Sequence, residues 1–250
     1  MTTPRSPFGP RLWRLLAVRR PDATTVMEEM VAALAGEAGV AEAELRAVVD
    51  GAGPSPELLE RLAPAVRIAP ADLYTVAGLP VPPEEASALP TKPWDVGHLL
   101  RAAARLDRER IAEIDELVRA MPPRPRAEPA EEPGFPESAG SMLVRLAGNR
   151  NIKPHNARVL LEVGGGPYVS DSTIWMLGAG RVVVTPLYVT AFAHLLGYDP
   201  GELVALAGVG PVAEQARPHP EHAALAALAW NARRLTGDQL RQALAAARAA

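Results

Sequence analysis

The sequence predicts an all-α protein built of two tandem five-helix repeats, each followed by a helical extension. Three observations lead there. The chain repeats itself at a nearly constant offset along most of its length. Helix starts and stops recur in the same order in both halves. No stretch alternates apolar and polar residues long enough to suggest a sheet.

The repeat is clearest where IAPADLYTVAGL (68–79) aligns with YDPGELVALAGV (198–209), at an offset of 130. Pro70 falls on Pro200, Leu73 on Leu203, and Ala77-Gly78 on Ala207-Gly208. Upstream, Ser55-Pro56 falls on Thr185-Pro186. Past a one-residue indel, Leu45, Val48 and Gly51 fall on Ile174, Leu177 and Gly180. LWRLLAVR (12–19) resembles LVRLAGNR (143–150), and ARLDRERIAEIDELV (104–118) lies over RRLTGDQLRQALAAA (233–247). The repeats with their extensions therefore span 10–121 and 141–250. The stretch 122–140, with Pro125, Pro129, Pro133 and Pro136 among Glu and Arg, reads as a linker.

Each element of the second half has a local cause. Ser141–Asn149 is a short first helix. Pro154–Val163 is a second, stopped by Gly164-Gly165-Gly166-Pro167. Ser170 is a good N-cap, with Asp171 in the first turn of a helix running to Leu177 and closed by Gly178 and Gly180. Thr185-Pro186 opens the fourth helix, with Pro in its favoured first position. Gly197 stops it. Asp199-Pro200-Gly201-Glu202 opens a fifth through Ala207. In the first half Pro56 opens the matching fourth helix, and Pro64 should end or kink it early. The extensions 94–121 and 221–250 carry apolar stripes: Leu99, Leu106, Ile111, Ile114 and Leu117 in one, Leu225, Leu228, Leu235, Leu240 and Leu244 in the other.

Composition removes several function classes. With no Cys there are no disulfides, Cys-ligated zinc, iron–sulfur clusters or Cys nucleophile. Aromatic residues are 4% of the chain, so the core must be aliphatic. All but two of the basic residues (Lys92 and Lys153) are Arg, in a chain rich in Ala and Pro. That bias weakens any single Arg as a sign of bidentate chemistry. The segment 182–198 has no charged residue, but it is shorter than a span needs and is interrupted by Pro186, His194 and Gly197. It reads as a buried helix, with no membrane contact. No targeting signal is visible, and the expected location is cytoplasmic. VGGGP (163–167) has neither a preceding strand nor a following Gly-Lys-Ser/Thr, so it is a turn rather than a phosphate loop. The five His show no ligand spacing with nearby carboxylates. His219-Pro-Glu-His222 comes closest and reads as a helix start. Neither metal nor cofactor is expected, nor, without a nucleophile–base pair, an enzyme.

The pattern VSDSTIWMLGAGR…TPLYVTAFAHLLGYDPGELVALAG (169–208) resembles the helix-turn-helix domain of the lambda-repressor-like, or XRE, family. The matching features are Val169-Ser170, Ile174…Leu177, Gly180, Pro186, Leu196-Gly197 and Asp199-Pro200…Leu203. The likeness covers about 141–209, and 11–79 matches as a more degenerate copy. It implies a second helix across the phosphate backbone and a third entering the major groove of double-stranded DNA. Ser170, Ser172 and Thr173, with Met176, would then meet the groove. Arg150, Lys153, His155, Asn156 and Arg181 would meet phosphates. Three departures stand out. Gly178 replaces an acidic residue, GGGPYV lengthens the turn, and the Gln and Arg that most often read base edges are missing.

Charge divides the halves. Residues 1–123 hold 14 basic and 18 acidic residues, whereas 140–250 hold 10 and 7. The first half's equivalent helix, AEAELRAVVDGAG (41–53), would turn Glu42, Glu44 and Asp50 toward phosphates with only Arg46 to offset them. The expected function is a DNA-binding transcriptional regulator acting through the second repeat. The alternative is a non-catalytic protein–protein interaction module that has lost DNA contacts. The extension stripes leave open packing on their own domain, on the other half, or on a second chain as a homodimer.

Overall fold

The computed structural model describes residues 7–19, 27–87, 95–124 and 134–249. Over these the chain is all-α, with fourteen α-helices, one 3-10 turn and no strand. It divides into two compact units, Met1–Glu85 with Ala205–Gly208, and Ala86–Val204 with Val209–Ala250.

The first unit contains α1 (Phe8–Arg19), α2 (Met27–Ala38), α3 (Glu42–Val49), α4 (Pro56–Ala65) and α5 (Pro70–Ala77). α1 packs on α3 and α5, α2 on α3 and α4, and α4 on α5. Phe8, Leu12, Leu15, Leu45, Leu59, Leu62 and Leu73 are buried there, an aliphatic core as the composition requires. Ser55 caps α4 by accepting from the Leu58 N–H at 3.1 Å. Pro64 lies inside the last turn of α4 and the helix stops one residue later. The missing N–H leaves the Glu60 carbonyl without its usual helical donor, and the chain leaves the helix through Arg67 at φ 49°.

The second unit holds α6 (Val96–Ala103), α7 (Arg108–Ala120), α8 (Ala139–Gly148), a 3-10 turn (Pro154–Asn156), α9 (Arg158–Glu162), α10 (Asp171–Gly178) and α11 (Pro186–Leu196), followed by α12 (Pro200–Ala207), α13 (His222–Ala232) and α14 (Gly237–Ala249). α12 ends within the segment that clusters with the first unit. Among the described residues no helix is long and apolar enough to cross a membrane. The uncharged segment 182–198 becomes α11, with Val189, Phe192, Leu195 and Leu196 buried.

The two extensions cover each other. α7 packs on α13 and α6 on α14, with further α6–α13 and α7–α14 packing. Leu99, Ile111 and Ile114 are buried in this cluster with Leu225, Leu228, Leu240 and Leu244. At its edges Asn231 Nδ2 donates to Asp115 at 2.8 Å, and Arg108 Nε to Glu221 at 2.8 Å. The compact units therefore divide between Glu85 and Ala86 rather than within the Pro-rich stretch. Two amphipathic hairpins bury more apolar surface against each other than either could alone.

Residues 125–133 of the expected linker lie outside the described residues. Its described ends, 122–124 and 134–140, belong to the second unit. The Phe135 ring packs edge-on against Trp175, with centroids 5.5 Å apart. α8 begins two residues earlier than the sequence suggests, because Ser138 and Ser141 form a reciprocal capping box. The expected second helix, Pro154–Val163, is split into the 3-10 turn and the short α9.

Candidate functional site

The start of α10 is organised by hydroxyls. Ser170 Oγ accepts from the Thr173 N–H at 3.3 Å and lies 2.8 Å from Ser172 Oγ and 2.9 Å from Thr173 Oγ1. Asp171 Oδ1 accepts from the Ala157 N–H at 3.3 Å, so the starts of α9 and α10 adjoin. α10 rests on α8 and the 3-10 turn. A Cβ on Gly140 of α8 would come within 2.1 Å of the Leu177 carbonyl oxygen, so only glycine permits this approach. Here Ser170, Asp171, Ser172 and Arg158 are exposed, while Lys153 and Thr173 are half-buried; Arg181, beyond the far end of α10, is also exposed. Glu162 is paired with Arg101 Nε at 3.1 Å. Tyr168 before α10, Trp175 and Met176 within it and Val183 after it are exposed large apolar side chains.

Two of the phosphate candidates are interior residues. Arg150 is 4% exposed. Its Nη1 donates to the Leu146 carbonyl at 3.1 Å and its Nη2 to the Leu196 carbonyl at 3.0 Å, near the C-termini of α8 and α11. The guanidinium also sits 5.0 Å from the Trp230 ring and 5.8 Å from that of Tyr198. A cation there meets the negative ends of two helices and two aromatic faces. Arg150 is thus a structural cation and is not presented to a duplex. Asn156 is likewise buried, its Nδ2 donating to Asp95 Oδ1 at 2.7 Å and Oδ2 at 2.8 Å. It too is withdrawn from the phosphate set. His155 stays half-exposed, with Nε2 3.0 Å from Asp95 Oδ2.

Asp95 is the hub that sequence reasoning missed. It caps α6 by accepting from the His98 N–H at 3.3 Å, and its Oδ1 is 3.0 Å from His98 Nδ1. The carboxylate is almost fully buried, beneath two imidazole rings with centroids 6.1 Å apart. A Cβ on Gly97 would come within 2.7 Å of the Asn156 side chain, so glycine lets Asn156 close over the cap. The signal that could have found the first pair is the Asp-x-x-His spacing of an N-cap, which the sequence reading did not take up. His155, far along the chain, had no local signal tying it to Asp95.

The glycine run acts structurally, as a turn. A Cβ on Gly165, at φ 72°, would lie 2.1 Å from the backbone of Arg217. The Arg217 and His219 N–H groups donate to the Gly165 and Val163 carbonyls at 3.3 and 2.9 Å. In the first unit Arg46 is engaged by Glu42 at 2.6 Å and Glu28 at 3.4 Å. The hydrogen bond with Glu42 is the main cause raising its pKa. The cation that could offset α3's acids is thus already occupied. Comparison with protein-family models, curated proteins and solved structures finds no match.

Proposed function

We propose that this chain is a tandem pair of degenerate lambda-repressor-like helix-turn-helix repeats, and that its second unit binds double-stranded DNA in transcriptional control without catalysis. The observation that supports this best is the adjoining of the α9 and α10 starts, joined by the Asp171–Ala157 bond. The Ser170 and Ser172 hydroxyls and Arg158 are exposed at these starts with Lys153 half-buried, and Arg181 is exposed past the other end of α10. Helix starts and hydroxyls suit phosphate and groove contact. The test is fluorescence anisotropy of the full chain against a pool of genomic fragments across a salt series. Lys153, Arg158 and Arg181 would neutralise three phosphates, giving a log K against log salt slope of about −2.7. Arg181→Ala should weaken binding to every fragment and flatten the slope by about 0.9. Ser172→Ala should change preference between fragments by about 1 kcal/mol.

A second reading, a protein-interaction module, is favoured by the exposed Tyr168, Trp175, Met176 and Val183. Exposed large apolar side chains, where they form a contiguous patch, mark an interaction face. Binding of every fragment only at background level, with no response to Arg181→Ala, would decide for it.

A further inference from the structure

We propose that Asp95, His98 and His155 form a three-ligand site for a divalent first-row transition ion, zinc fitting best. Three side chains from two separate elements converge here. Asp95 precedes α6, His98 lies in its first turn, and His155 sits in the 3-10 turn before α9. His98 Nδ1 and His155 Nε2 each lie 3.0 Å from a different oxygen of one carboxylate. The three ligand atoms all fall within 4.8 Å of one another. An ion with bonds of about 2.0–2.1 Å holds tetrahedral ligand atoms roughly 3.3 Å apart, and each nitrogen already stands near that spacing from its own carboxylate oxygen. Ligation through one carboxylate oxygen requires the farther imidazole to swing toward it, and the half-exposed His155 ring is the better placed of the two to move.

The donor chemistry selects the class of ion. Two imidazoles and one carboxylate suit zinc and its neighbours, whereas calcium and magnesium want oxygen shells. The outer shell is present as well. Asn156 Nδ2 donates to both carboxylate oxygens, at 2.7 and 2.8 Å, and fixes the plane of Asp95. An N-cap alone needs one acceptor oxygen facing one backbone N–H. It explains neither the second imidazole nor the buried amide. Three protein ligands leave at least one coordination position for water or an anion. The ion would join the start of α6 to the segment leading into α9. The inference is independent of the DNA reading, although a His155 bound to metal is not at a phosphate.

The test is calorimetric titration of the chelator-treated full chain with zinc chloride, repeated with cobalt to read its visible absorption bands. About one equivalent should bind, and cobalt should give bands of nitrogen and oxygen ligation. His155→Gln and His98→Gln each keep a hydrogen-bonding group beside Asp95. Each should weaken zinc at least tenfold while leaving the circular dichroism spectrum unchanged. Asp95→Asn, which retains a capping oxygen, should remove binding. Elsewhere the His222 ring packs against that of His194, with centroids 5.1 Å apart, and bonds the His219 carbonyl at 3.0 Å. His222→Gln should therefore leave the titration unchanged. The proposal is overturned by absence of binding to the unaltered chain, or by binding that survives both His155→Gln and His98→Gln. Loss on His222→Gln alone would overturn it equally.

Discussion

Replacing Arg150 tests the central distinction between a structural cation and a DNA contact. Its guanidinium makes two hydrogen bonds to helix-terminal carbonyls, of Leu146 and Leu196. A charged hydrogen bond contributes about 1.5–3 kcal/mol, so the pair amounts to roughly 3–6 kcal/mol. Water entering the vacated space would satisfy part of what is lost, so Arg150→Ala should cost about 3–5 kcal/mol. At about 2–4 °C per kcal/mol for a unit of this size, the melting transition should fall by about 6–20 °C. Arg150→Lys should fall between, because an ammonium lacks the planar fork that reaches both carbonyls. The assays are calorimetric or dichroic melting, run beside the DNA salt series. If Arg150→Ala melts within about 2 °C of the parent chain and instead flattens the salt slope by about 0.9, the residue is a phosphate contact and the reasoning fails.

Helix α8 provides a matched pair. Gly140→Ala should destabilise by about 1–3 kcal/mol or more, since its Cβ would meet the Leu177 carbonyl at 2.1 Å. Gly148→Ala, whose Cβ meets nothing within 4 Å, should be neutral or stabilise by about 0.5–1 kcal/mol. Denaturant melts of the two variants should move in opposite directions. Ser138→Ala removes one arm of the α8 capping box and should cost about 1 kcal/mol by the same measurement. In the first unit, Glu42→Ala should leave DNA affinity within about twofold in the anisotropy assay, because α3 is not expected to touch the duplex.

The helix ends of this protein were legible because caps act within one turn. Ser170, Pro186 and Gly197 each mark an end that their own backbone requires: α10 and α11 begin, and α11 stops, where those signals lie. The absence of strands among the described residues was legible for the same reason, since a sheet needs a period-two pattern over a short local window. The apolar stripes of the extensions were also visible. Their partners were not, because any amphipathic helix can lie on any other, and the pairing of α6 and α7 with α14 and α13 joins residues more than a hundred positions apart. Arg150 and Asn156 show the limit most plainly. An Arg beside a DNA-facing helix and an Arg buried against Trp230 have the same neighbours in sequence. Whether such a side chain turns toward solvent or the interior depends on carbonyls and rings brought up by distant helices. That choice, like the meeting of His155 with Asp95, belongs to tertiary packing alone, because burying a polar group is tolerable only where the assembled fold supplies its partners.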